Sequence, residues 1–143
     1  MIHVIIVTHG NLGTELLKSA EMIAGEIKGI DSVSLLKEDN PLSFEEKVIQ
    51  VIGKEEDQLL FLADIFGGTP YNTAVSLLKK WDAWIVTGVN LPMVLEAATT
   101  IEDVEKAKDM AENLLKAWSG RIVSRETLEV KPEEKNNWEE EDL

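Results

Sequence analysis

No cysteine occurs anywhere in the 143 residues, so disulfides, thiolate metal sites and thiol catalysis are excluded, in keeping with a reducing cytoplasm. Arginine is nearly as scarce. Arg121 and Arg125 carry the two guanidiniums, and the forked side chain that best neutralises a phosphate is missing from the first 120 residues. No apolar run is long enough to cross a bilayer, and no basic segment precedes the first apolar stretch as a secretory signal would require. Positive charge is short overall: the net charge is −13, which argues against nucleic-acid binding because nothing offsets the repulsion of a polyanion. The acid is uneven. From Glu126 to Leu143 there are eight acidic residues and two lysines, a net of −6, which leaves −7 for the first 125 residues. The stretch KPEEKNNWEEEDL, residues 131–143, reads as a disordered solvated tail behind a single domain of residues 1–130.

What is present is 44% apolar residues in an alternating pattern. Short buried-strand runs occur at Ile2 to Val7, Ser32 to Leu36, Leu59 to Ala63 and Ala83 to Val86. Leu12, Leu16, Ala20, Ile23 and Ala24 share one face of a first helix that should end near Gly25 or Gly29. Phe44, Val48 and Ile52 mark a second helix, and a third should start at Thr69. Leu91 to Ala98 reads as a short extra helix before a long one from about Ile101 to Trp118. Strand and helix in alternation imply an α/β fold: a doubly wound, mostly parallel sheet of order about 2-1-3-4 with helices on both faces. SGRIVSRETLEV, after Trp118, alternates like an edge strand and has no helix to return it as a parallel crossover. It should join antiparallel.

Ligands of such sheets bind beyond the carboxyl ends of the strands, where the strand order reverses. Three loops therefore matter: Thr8, His9 and Gly10 after the first strand, Asp64 to Asn72 after the third, and Thr87 to Met93 after the fourth. With the first and third strands adjacent, His9 and Asp64 face each other. A carboxylate on Nδ1–H fixes the tautomer, leaves Nε2 as a nucleophile and stabilises positive charge on the ring as Nε2 attacks. Gly67 and Gly68 allow close backbone approach, Thr69 is a good cap and Pro70 suits a first helical position. The amides of Tyr71 and Asn72 and the Thr69 hydroxyl could then meet an anion at the helix N-terminus. Asn90 and Pro92 open the short helix and line the site from the fourth strand. His3 has no partner suggested by its neighbours and reads as a strand residue. The phosphohistidine phosphatases need arginines around the phosphate, and neither arginine here falls in a carboxyl-end loop.

The segments VIIVTHGNLGTELLKSAEMIAGE, LLFLADIFGGTPYNTA and VTGVNLPMVLEA resemble, in order and spacing, the signature segments of the enzyme IIA domain of the mannose class. That domain serves the bacterial phosphoenolpyruvate-dependent sugar phosphotransferase system, and the resemblance covers residues 1 to about 120. It implies a cytoplasmic phosphoryl carrier, at most peripheral to the membrane through the transporter subunits, that takes phosphoryl from HPr and gives it to a IIB component. His9 then resembles the phosphorylated histidine, Asp64 its oriented carboxylate and Thr69 the hydroxyl beside the phosphoryl group, with Gly68, Tyr71 and Asn72 as further phosphoryl contacts and Thr8, Gly10, Gly67, Asn90 and Pro92 lining the site. Some members carry a hydroxyl residue directly after the aspartate, where this chain has Ile65. No metal or cofactor is implied. The family resemblance also implies a homodimer in which the C-terminal strand is exchanged, and the acidic tail in place of a linker implies a separate IIB chain. The phosphotransfer subunit of dihydroxyacetone kinase and a noncatalytic regulatory domain of the same fold are the alternatives; the GGTP run favours the sugar system.

Overall fold

The computed structural model describes residues 1–54, 58–117 and 120–128. Four parallel strands, β1 (Ile2–His9), β2 (Ile30–Leu35), β3 (Gln58–Ala63) and β4 (Ala83–Thr87), form one sheet in the order β2-β1-β3-β4. Five helices connect and cover them: α1 (Leu12–Ala24), α2 (Pro41–Ile52), α3 (Gly68–Leu77), α4 (Leu91–Thr100) and α5 (Ala107–Leu115). None of the helices among the described residues is long and apolar enough to cross a membrane.

Neighbouring residues of one strand serve opposite layers. Ile2, Val4 and Ile6 of β1 and Leu60 and Leu62 of β3 pack under α1, α4 and α5, whereas Ile5, Val7, Leu59 and Phe61 pack under α2 and α3. Both faces are covered, which is why these strands read as unbroken apolar runs rather than as alternating ones. A strand buried on both sides cannot slip without exposing apolar surface on one face, so the C-terminal ends of β1 and β3 are held rigidly beside each other. Val7 pairs with Ala63, which brings the residues just beyond them to the same place.

The β2–α2 connection is also firmly built. Asn40 caps α2 by accepting from the Ser43 amide, the Ser43 hydroxyl accepts from the Asn40 amide in return, and Pro41 occupies the first turn. Just before it, the Asp39 carboxylate accepts from the Lys47 ammonium at 2.6 Å and from the Leu36 amide at 2.8 Å. These bonds, that from Lys47 foremost, hold the Asp39 carboxyl below the usual range.

Two expectations are corrected. The helical periodicity from Ile101 to Trp118 is not one helix. α4 runs on to Thr100, the Thr100 hydroxyl donates to the Glu96 carbonyl, and the amides of Asp103 and Val104 both return to the Thr100 carbonyl in a tight turn. α5 starts only at Ala107, where the Gln58 carboxamide of β3 accepts from the Ala107 amide and donates to the Glu105 carbonyl. The stripe looked continuous because Ile101, Val104 and Ala107 all enter the same apolar layer. Trp118 lies outside the described residues. The second correction concerns Gly120 to Leu128, which form no strand in the single chain. They are exposed, and Ser124 and Thr127 bond to each other in a local turn. The acidic stretch 131–143 lies outside the described residues.

Candidate functional site

β1 buries seven residues in succession and then emerges at His9, whose side chain is 47% exposed. Beside it, Asp64 follows directly on β3. One carboxylate oxygen of Asp64 accepts from both the backbone amide and the ring Nδ1 of His9, each at 2.8 Å, while the other accepts from the Ile65 amide at 2.9 Å. Burial pushes the Asp64 carboxyl up, but these three N–H donors outweigh it and hold the group below its ordinary value of 3.8. An ionised acceptor at this place assigns the ring proton to Nδ1 and leaves Nε2 with its lone pair.

The same loop reaches the other side of the ring. A Cβ placed on Gly68 would stand 3.1 Å from Cε1 and 3.4 Å from Nε2 of His9, so the bare Gly68 backbone lies against the nucleophilic edge. Five residues thus hold both nitrogens, Asp64 at Nδ1 and Gly68 at Nε2. Gly67 and Gly68 have φ of +85° and +82°, values that only glycine adopts without strain. The side chain of Ile65 closes the third side, its Cδ1 being 3.8 Å from the same Gly68 position.

The donors differ from those expected. α3 is capped at Gly67 rather than at Thr69, so the backbone groups left over at its N-terminus belong to Gly67, Gly68 and Thr69, with Pro70 supplying none. The Tyr71 and Asn72 amides fall inside the helical ladder. The Tyr71 ring instead packs at 4.8 Å from Phe66, and Asn72 and Thr69 line a shallow groove of about 260 Å³ that also includes Pro41 and Glu45 of α2. Asn90 spends its carboxamide oxygen on the Met93 amide as the cap of α4. Pro92 lines a groove with Ile23 and Leu95 between α1 and α4. Gly10 turns the chain with φ +59° and open space around it.

Thr8 is fully buried and so does not line an open site. Its hydroxyl donates to the Gly10 carbonyl and accepts from the Gly13 amide, contacts that no sequence pattern announces. His3 does have a partner. Its Nε2 lies 2.7 Å from Asp31 on β2, a pairing fixed by strand register and invisible in the local sequence.

The arrangement can accept an electrophile at Nε2, stabilise the resulting cationic ring through Asp64, and present backbone amides to an anion at the N-terminus of α3. Comparison with known proteins agrees with this chemistry. The sequence model of the family described as "PTS system fructose IIA component" matches residues 3–115. The fructose-specific EIIA component of the PTS of Bacillus subtilis (strain 168) is 36% identical over 146 residues, covering 99% of each chain. The sorbose-specific EIIA component of Lacticaseibacillus casei is 33% identical over 104 residues, covering 71% of this chain and 75% of that protein. Among solved structures, the mannose/sorbose specific IIA subunit of the phosphotransferase system of Enterococcus faecalis superposes with a TM-score of 0.75 at 29% identity, over 86% of this chain and 96% of that one.

Proposed function

The chain belongs to the fructose and mannose class of IIA components of the sugar phosphotransferase system, and on that premise we propose that His9 takes a phosphoryl group from phosphorylated HPr and passes it to a IIB component. The observation that carries the reading is the division of labour on one imidazole: Nδ1 is tied to Asp64 and Nε2 is left against Gly68. In the transfer, the bond from phosphorus to the donor's histidine nitrogen breaks as the bond to Nε2 forms. No proton has to move, because Nδ1 of His9 is protonated before and after. The positive charge that develops on the ring faces the Asp64 carboxylate, and the phosphoryl oxygens meet the amides of Gly67, Gly68 and Thr69.

A carrier must hold its cargo. Among the described residues His9 hydrogen-bonds to Asp64 alone, and that carboxylate is already committed to Nδ1 and is not free to activate water against the phosphohistidine. Residues 1–130 form the IIA unit on this reading, and 131–143 an acidic tail. The unit works in the cytoplasm and meets the membrane through the transporter subunits. It is a homodimer: β4 ends the sheet with an unpaired edge, and residues 120–128 have the alternation to pair with that edge of a second copy.

The test is reconstitution with phosphoenolpyruvate, enzyme I and HPr, followed by addition of a IIB component. One phosphoryl group per chain, absent in His9→Ala, retained in His3→Gln and discharged by IIB, is the expected result. Failure of IIB to discharge a labelled chain contradicts the carrier reading, and label lost rapidly as free phosphate favours a phosphatase.

A further inference from the structure

We infer that Thr8, buried and one residue short of the nucleophile, is a positioning residue whose hydroxyl keeps His9 from swinging on Gly10. The inference rests on His9 being the phosphoryl acceptor. His9 is the last residue of β1, and the next, Gly10, has φ +59° with nothing within 4 Å of where a Cβ would be. A glycine in open space is the least restrained residue a chain can contain. Left alone, it would make a hinge directly behind the imidazole.

The hinge is pinned on both of its peptide units. The Gly10 amide donates to the Leu35 carbonyl of β2 at 2.8 Å, and the Gly10 carbonyl accepts from the Thr8 hydroxyl at 3.2 Å. The same hydroxyl accepts from the Gly13 amide at 2.9 Å. That second bond has its own reason: Asn11, at the N-cap of α1, makes no side-chain capping bond, so one of the helix's leftover amides is served by Thr8 instead. A single oxygen therefore ties the end of β1, the glycine turn and the start of α1 into one unit.

The methyl of Thr8 does different work. A Cβ on Gly13 would lie 2.9 Å from Ile6 Cγ2 and 3.3 Å from Thr8 Cγ2, so the methyl forms part of the surface on which α1 sits. Threonine thus combines two separable functions at one position, hydroxyl for placement and methyl for packing.

The separation supplies the test. Thr8→Val keeps the methyl and removes the hydroxyl; Thr8→Ser does the reverse. In rapid-quench transfer from phosphorylated HPr, Thr8→Val should lose roughly tenfold to a hundredfold in kcat with KM for HPr unchanged, the scale of loss when a reacting group is misplaced by about an ångström. Its Gly13 amide should exchange with solvent faster than in the parent. Thr8→Ser should keep kcat within about twofold, because placement survives, while its melting temperature falls as packing is lost. Parental kcat in Thr8→Val, or an equal loss of kcat in both variants, overturns the proposal. Should Thr8→Val fail to fold, a loss of kcat in Thr8→Ser alone overturns it. If the parent protein takes no phosphoryl group at all, it is the functional reading that has failed. Amide exchange at Gly13 and the chemical shifts of the His9 ring, compared between parent and Thr8→Ser, then decide the clamp: both should match the parent, and a moved ring overturns it.

Discussion

One oxygen of Asp64 accepts from two nitrogens of the same histidine, and this doubles the consequence of removing its charge. Asp64→Asn keeps the size but offers a neutral amide to a ring that becomes cationic, so phosphoryl transfer should slow by roughly a hundredfold or more. Circular dichroism should show an intact fold, and parental transfer rates would remove Asp64 from the account. The same carboxylate leaves a trace in stability. Its pKa is lowered by folding, so its contribution is complete above the ordinary value of 3.8 and is lost as pH falls through the lower, folded-state value. Denaturant unfolding in that acid window should depend less steeply on pH in Asp64→Asn than in the parent. His9 and Asp64 were legible in the sequence because each directly follows a run that can only be a buried strand, and polar residues there have nowhere to go but the sheet's carboxyl edge. Thr8 was not legible in its role: beside valines it reads as one more strand former, and its burial depends on Gly13 returning from the next element.

Among the elements, the loop from Asp64 to Gly68 and the helix it opens carry the site, and two adjacent glycines in it separate strain from contact. Gly67→Ala and Gly68→Ala each force an alanine to positive φ, at roughly 1–3 kcal/mol. Only at Gly68 does the new methyl also meet the imidazole, 3.1 Å from Cε1. Both variants should unfold at lower denaturant concentration, and Gly68→Ala should lose far more transfer activity than its stability loss explains. Equal losses of activity would show that the Gly68 backbone is not against the reacting edge. The glycine pair was visible in the sequence, but the start of the helix was not. Thr-Pro is so favourable as cap and first turn that it hides a start at Gly68. The break between α4 and α5 was hidden for a different reason: periodicity records which residues face the core, and a turn that keeps Ile101, Val104 and Ala107 on one layer leaves the period intact. The Gln58 side chain that seats α5 comes from a strand 49 positions away, beyond the reach of any local pattern.

For the molecule as a whole, strand order and the two-layer core followed from alternation and the rules of parallel crossovers, while assembly depends on the segment the single chain leaves unpaired. If residues 120–128 pair with the β4 edge of a second copy, sedimentation equilibrium should show a dimer at micromolar concentration, and deletion of residues 120–143 should shift it toward monomer. A monomeric parent would remove exchange from the account. The central claim is narrower: phosphate resides on one identified nitrogen. Because Asp64 holds Nδ1 and Gly68 lies beside Nε2, the phosphorus NMR spectrum of the protein phosphorylated by HPr should contain a single phosphohistidine resonance, labile in acid and stable in base. Correlation to the ring protons of His9 should place it on Nε2. A phosphoryl group on Nδ1, on His3, or on no histidine would contradict the account.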